Sequence, residues 1–245
     1  TAAILTLASC STTKYVPDGS YLLDEVRIHT DNKNVKPSNL SIYVRQNPNS
    51  KWFSLIKTQL YVYNWSGRDS TRWVNRALRR LGDAPVIYSK EETERSREEM
   101  TKAVQNMGYM GATVEYIPKI KKKKVKLAYK VNTGEPYIVR SLKYDVQDEK
   151  IWEYMQKDSA STYLSEGMYF NANILDSERQ RITGNLLRNG YYKFNKDYIS
   201  YTADTVRGTY QVDLTLHLAR YRQHSGAELQ DHPQYTINKV NFIAD

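Results

Sequence analysis

Met100-Thr101-Lys102-Ala103-Val104-Gln105-Asn106-Met107-Gly108-Tyr109 is written a second time as Ile182-Thr183-Gly184-Asn185-Leu186-Leu187-Arg188-Asn189-Gly190-Tyr191. One offset superposes Met100 on Ile182, Val104 on Leu186, Gly108 on Gly190 and Tyr109 on Tyr191. It also lays Thr93-Glu94-Arg95-Ser96-Arg97 on Leu175-Asp176-Ser177-Glu178-Arg179. Each copy reads as a helix with one apolar stripe, closed by a glycine that takes a positive φ, with the following tyrosine packing back on the helix. A second pattern marks where each unit begins. Tyr21-x-Leu23-x-x-Val26-x-Ile28 recurs as Tyr137-x-Val139-x-x-Leu142-x-Tyr144 and again as Tyr235-x-Ile237-x-x-Val240-x-Phe242. Tandem small modules point to an array that binds chains or bridges partners rather than to one deep catalytic pocket.

Around these landmarks the remaining elements fall into place. In the first unit, Val26 and Ile28 face one way along a strand, and Glu25, Arg27 and His29 the other. Ser38 is placed to cap a short helix through Leu40, Tyr43 and Val44, which must stop at Asn47 because Pro48 follows. Ser89-Lys90-Glu91-Glu92 is a capping box opening the second helix. After each Gly-Tyr come two alternating runs, 113–117 with 125–131 and 198–202 with 210–218. Period two with one polar face means half-buried strands. Val125, Leu127, Tyr129 and Val131 share a face, as do Tyr210, Val212, Leu214, Leu216 and Leu218. The second unit's first helix is expected over 149–157, with Ile151, Trp152 and Met155 as its stripe. Each unit thus runs strand, helix, helix, strand, strand. The fold class is α+β, a three-stranded mixed sheet covered on one face by two helices. An insertion at about 49–87 in the first unit carries two further helical stretches, Trp52, Phe53, Ile56 and Leu60, then Trp73, Val74, Ala77, Leu78 and Leu81.

The boundaries implied are 1–20 for an export-signal remnant and tether, 21–133 for the first unit, 134–219 for the second, 220–234 for a polar linker and 235–245 for the start of a third. At 245 residues, about two domains are expected. Twenty-one tyrosines against four phenylalanines fit sheets with wet faces. A net charge of +9 favours an anionic surface, phospholipid or nucleic acid. The single cysteine, Cys10, closes an apolar run of small residues, Leu7-Ala8-Ser9-Cys10, and a polar tether follows. That is the shape of a lipidation signal, with Cys10 as the acylated residue. The alternative is an inert buried cysteine in an N-terminal strand or helix.

A unit of this order, with Gly-Tyr closing its second helix and repeating in tandem, resembles the POTRA (polypeptide-transport-associated) domain of outer-membrane assembly proteins, the BamA/TamA superfamily. The lipobox, followed by Lys14-Tyr15-Val16-Pro17-Asp18-Gly19 and then Tyr21-Leu22-Leu23, is similar to the superfamily's lipoproteins in the Bacteroidota, the TamL family. Gly82-Asp83-Ala84-Pro85-Val86-Ile87-Tyr88 also fits that family, with Ala84 where a second proline is common. The resemblance implies a non-enzymatic periplasmic arm held to the outer membrane by the N-terminal lipid and by a C-terminal barrel missing from this sequence. Its clients would be outer-membrane polypeptides and its partner a TamB-like periplasmic protein. It puts the client-binding edge at Thr113, Val114, Glu115, Tyr116 and Ile117, and at Tyr198, Ile199, Ser200, Tyr201 and Thr202. The competing reading is a barrel-free lipoprotein adaptor with the modules as spacers.

Catalytic, cofactor-binding and metal sites are not expected. Asp213 and His217 share a strand face without a serine tied to them, and His224, Asp231 and His232 fall in the linker. Two basic features remain. Lys121, Lys122, Lys123 and Lys124 occupy a hairpin turn, and Arg68, Arg72, Arg76, Arg79 and Arg80 lie on or beside the Trp73 helix. Either set reads as a solvated surface, or as a contact with anionic headgroups. The Arg-rich helix then either packs on the core with a charged outer face or lies on a membrane. No nucleic-acid partner is expected, given the export signal and the lack of aromatics interleaved on a basic face; a third class, an anionic-polymer or nucleic-acid binder, would show tight, steeply salt-dependent binding.

Overall fold

The computed structural model describes residues 12–50, 57–67, 69 and 71–240. The expectations for Cys10, Trp52, Phe53, Ile56, Arg68 and Phe242 lie outside the described residues. The chain divides into two compact units, Thr1–Ala103 with Ala112–Thr133, and Val104–Gly111 with Gly134–Asp245. The fold is α+β, as expected, and each unit holds a three-stranded mixed sheet.

The first sheet is built from β1 (Leu22–Thr30), β2 (Thr113–Lys121) and β3 (Lys124–Asn132) in the order β1-β3-β2. β3 is central, parallel to β1 and antiparallel to β2. The register slips between Leu23 and Glu25, so Asp24 is a bulge. The bulge explains why Leu23 and Val26 stand three residues apart in a strand of period two. Val125, Leu127, Tyr129 and Val131 are all buried. The helices are α1 (Pro37–Leu40), α2 (Thr58–Trp65), α3 (Trp73–Leu81) and α4 (Lys90–Asn106). Met100, Ala103 and Val104 of α4 are buried, as their stripe requires.

Two capping expectations change. Ser38 lies inside α1, whose N-cap is Lys36, with Pro37 at the first helical position, where its missing N–H costs nothing. Ser89 Oγ accepts the Glu92 amide at 3.3 Å, but the return half of the box is absent: the Ser89 amide donates to Gln46 Oε1 at 2.9 Å.

The second sheet repeats the first, with β4 (Ile138–Val146), β5 (Ile199–Thr205) and β6 (Gln211–Leu218) in the order β4-β6-β5. The same bulge recurs between Val139 and Ser141. Val212, Leu214, Leu216 and Leu218 are buried, whereas Tyr210 precedes β6, is exposed, and packs edge-on against Tyr137. α5 (Glu149–Lys157) and α6 (Ala172–Arg188) are the two helices. Asp148 caps α5, its carboxylate accepting the Ile151 amide at 3.1 Å. Segment 220–234, expected as a polar linker, contributes Tyr221 and His232 to the buried set. No strand is assigned over 235–240, the described part of the segment expected to open a third unit.

Both helix endings carry the same pair of bonds. Tyr109 N–H donates to Val104 C=O at 3.4 Å and Gly108 N–H to Gln105 C=O at 2.9 Å. Tyr191 and Gly190 do the same to Leu186 and Leu187 at 3.0 and 3.2 Å. The glycines take φ of +100° and +88°, so the double-bond helix ending expected from Gly-Tyr is present at both sites. Each glycine carbonyl then accepts the amide of the tyrosine that opens the next copy of the strand pattern. Tyr137 donates to Gly108 at 2.9 Å and Tyr235 to Gly190 at 2.7 Å.

Candidate functional site

In each unit the strand that follows Gly-Tyr is an edge strand, because the last strand inserts between it and the first. β2 pairs only with β3, and β5 only with β6, among the described strands. The opposite edges are partly covered. Leu23 N–H donates to Val86 C=O at 2.8 Å and Tyr88 N–H to Tyr21 C=O at 2.8 Å, which lays residues 86–88 along β1. Val139 to Met168 and Phe170 to Tyr137, at 2.9 and 2.8 Å, repeat this along β4. The start of the β1 and β4 edges is thus covered, while β2 and β5 carry no described strand on their outer sides.

Of the expected edge residues, Thr113, Glu115 and Ile117 are exposed and Val114 is buried, fixing the strand to the core. Tyr116 is half-buried, and its hydroxyl is held above the usual phenol range by burial and by the nearby Glu94 carboxylate. Ile199 is buried, Ser200 and Thr202 are exposed, and the Tyr201 hydroxyl is pushed upward by burial. Tyr198 is not on the edge. It ends a 3₁₀ turn, and its ring packs 4.6 Å from His232 and 5.5 Å from Phe194. Pro118 sits within β2, a placement tolerated on edge strands because no ladder donor is lost from a central position.

The basic features converge on the tether. Lys14 Nζ donates to the carbonyls of Asn64 and Ser66 at 3.0 and 2.8 Å, and the Tyr15 hydroxyl donates to Ser66. Arg79 turns inward. Its Nη2 donates to Gly67 C=O at 2.9 Å, and its guanidinium lies 5.4 Å from the Tyr15 ring. Arg79 is thus a strut between α3 and the tether, and this removes it from the expected surface set. Arg72 pairs with Asp69 at 3.4 Å, while Arg76 and Arg80 are exposed. Lys123 pairs with Asp18 at 2.8 Å and Lys126 with Glu25 at 3.1 Å. Thr12, Thr13, Asp24 and Tyr61 line a cleft of about 580 Å³ with Lys119, Lys121, Lys122, Lys123, Lys124 and Lys126.

The polar residues weighed for chemistry are engaged with neighbouring side chains and backbone. Asp213 pairs with Arg140, which holds its carboxyl down to about 2. His217 instead bridges Asp145 at 3.0 Å and the Thr202 hydroxyl at 2.9 Å across three strands. This in-line trio lies on an open sheet face, with Asp145 more than half exposed, where water competes for every bond. His232 is buried and bonds Ala219 C=O at 2.9 Å, and Asp231 pairs with Arg220 at 3.0 Å. Among the described residues no group of His, Cys, Asp or Glu could hold a metal ion, and no helix is long and apolar enough to cross a membrane.

Sequence reasoning missed one pair of positions. Ser96 and Glu178 are equivalent in the repeat, both are buried, and each accepts the backbone amide of the segment that follows the unit's first helix. Ser96 Oγ accepts Arg45 N–H at 2.9 Å, and Glu178 Oε2 accepts Tyr163 N–H at 3.0 Å. The signal was a polar residue on an otherwise apolar stripe. The chemical difference between serine and glutamate hid the shared role.

Residues 21–134 match the family model of the POTRA domain, described as surface antigen variable number repeat. Among solved structures, the chain is similar to BamA from Haemophilus ducreyi lacking POTRA domains 1–3, at 18% identity over 81% of this chain and 29% of that one, with a TM-score of 0.39. It is also similar to POTRA domains 3–5 of Haemophilus influenzae BamA, at 14% identity over 83% and 99%, with a TM-score of 0.32. CdiB from Escherichia coli follows at 8% identity over 90% and 31%, with a TM-score of 0.30. The chain thus spans less than a third of the Haemophilus ducreyi BamA and Escherichia coli CdiB chains. No curated protein matches the sequence.

Proposed function

We propose that this chain is the non-enzymatic periplasmic arm of an outer-membrane lipoprotein that helps assemble, insert or translocate outer-membrane proteins. Its clients are extended outer-membrane polypeptides, and its partner is a TamB-like periplasmic protein. Cys10 carries the lipid, on the periplasmic side of the outer membrane, as in the TamL lipoproteins that its N-terminal sequence resembles. The observation that carries the reading is a repeated sheet with one edge partly covered and the other open. An extended chain adds to such an edge through backbone bonds, so recognition tolerates many client sequences. The POTRA match over residues 21–134 supports the same reading.

Site-specific photo-crosslinking tests it. A photoreactive residue at Glu115 or Ser200, both exposed on β2 and β5, should capture an unfolded outer-membrane polypeptide. The same probe at Arg27 in β1 or Lys143 in β4 should not. Capture mainly from β1 and β4, or from neither edge, would sink the proposal.

A further inference from the structure

The insertion in the first unit carries a helix that faces the wrong way for a protein in water. None of the residues of α3 is buried. Trp73, Val74, Ala77 and Leu81 fall on one strip at helical spacing, and all four are exposed, Trp73 at 74% and Leu81 at 72%. The polar side turns inward instead. Asn75 accepts the Gly67 amide at 2.7 Å and donates to Asp69 C=O at 2.7 Å, and Arg79 is the strut to the tether. Arg76 and Arg80 stand along one border of the apolar strip, exposed. Whatever covers this face must accept apolar side chains and offer negative charge beside them.

We infer that α3 is an interfacial helix that lays Trp73 and Leu81 into the surface of a phospholipid bilayer bearing anionic headgroups, with Arg76 and Arg80 on the phosphates. Tryptophan prefers that depth, and arginine reaches from an apolar face to the headgroup layer. Two further observations fit an anionic lipid surface. The tether touches both basic features: the Tyr15 ring lies 5.4 Å from the Arg79 guanidinium of α3, and Asp18 pairs with Lys123 at 2.8 Å. Lys14 stands four residues after Cys10, within about 14 Å of it along the chain. Lys122, at the tip of the hairpin, takes φ of +54°, the one positive φ outside glycine among the described residues. Glycine would relax that turn, so a lysine there keeps a charge at the tip against a conformational cost. The nearness of the tether to a membrane rests on the proposed acylation of Cys10, whereas the exposed apolar strip of α3 and its bordering arginines do not.

The test uses the full 245-residue chain made without acylation. It is mixed at low salt with vesicles of phosphatidylcholine alone, or of phosphatidylcholine with phosphatidylglycerol. The chain should sediment with the anionic vesicles and not with the neutral ones. Trp73→Ser with Leu81→Ser should weaken binding roughly tenfold, in proportion to the apolar area lost. Arg76→Ser and Arg80→Ser should each weaken it about fivefold and flatten its salt dependence. Lys122→Gly should raise the melting temperature while weakening binding, which separates the lipid contact from folding. Phosphatidylglycerol brominated on its acyl chains should quench tryptophan fluorescence, and Trp73→Phe should remove most of that quenching. The inference is overturned by wild-type chain that binds neither vesicle or both equally, by α3 variants that bind as wild type, or by quenching that Trp73→Phe leaves intact. Capture of clients at β2 and β5 is read separately, so failure here leaves the edge-binding proposal standing.

Discussion

At Gly190 a methyl group would meet the Tyr235 carbonyl oxygen at 2.5 Å, and at Gly108 it would meet that of Phe170 at 2.1 Å. Both atoms are backbone and cannot swing away. Gly208 also has a positive φ, +77°, but nothing lies within 4 Å of its missing Cβ. Gly208→Ala should therefore cost about 1 kcal/mol, the left-handed penalty alone. Gly190→Ala should cost more than about 2 kcal/mol, because the chain at 235 must move as well. Equal losses in chemical denaturation would mean that Gly190 ends a helix and nothing more. His232 supplies the pH test at this scale. Burial holds its imidazole below the usual histidine range, even though the Ala219 carbonyl and the Asp148 and Asp231 carboxylates favour the charged form. The unfolded chain then binds the proton more readily than the folded one. Stability is full above about pH 6.5 and falls as the pH drops below it towards the folded value. His232 should titrate below the usual histidine range by NMR, and His232→Phe should flatten the slope of stability between pH 7 and 5.

The helix pair of the second unit is pinned by Glu178, which is 1% exposed. It accepts Thr162 Oγ1 at 2.7 Å and the Tyr163 amide at 3.0 Å, and pairs with Arg181 at 2.7 Å. Arg181 also reaches Asp158 at the end of α5. Burial opposes ionisation of Glu178, but its hydrogen bonds to Arg181, Tyr163 and Thr162 win and hold its carboxyl below the usual range. Its contribution is present above about pH 4.5 and is lost as the pH falls through the folded value. Glu178→Ala should cost about 3 kcal/mol, since Arg181 and an amide lose their buried partner. Ser96→Ala, at the matching position, should cost about 1–2 kcal/mol for one orphaned amide. Denaturant unfolding that ranks them in the reverse order would contradict the shared role. Periodicity reads α4, α6 and the alternation of β3 and β6 well, because each pattern closes within a few residues. Arg79 defeats it: seen along α3 alone it belongs to a charged outer face, and only Tyr15 and Ser66, in other parts of the chain, turn it inward. The apolar strip of α3 was legible as a strip, but not as a face left open.

Across the whole molecule the repeat has a physical purpose. Inserting the last strand between the first and the penultimate leaves the penultimate strand at one edge of each sheet, and repeating the unit repeats that edge. Residues 86–88 and 168–170 cover the start of the other edge, so the fold itself distinguishes the two sides of each sheet. The measurement that bears most directly on client binding is amide hydrogen exchange, residue by residue, with and without an unfolded outer-membrane polypeptide. Edge amides facing water exchange quickly, and a strand added to them slows that exchange. Protection should rise along 113–117 in β2 and 199–202 in β5, with β1 and β4 unchanged. A client that binds while β2 and β5 exchange as before, with new protection confined to β1, β4 or α3, would contradict recognition by strand addition.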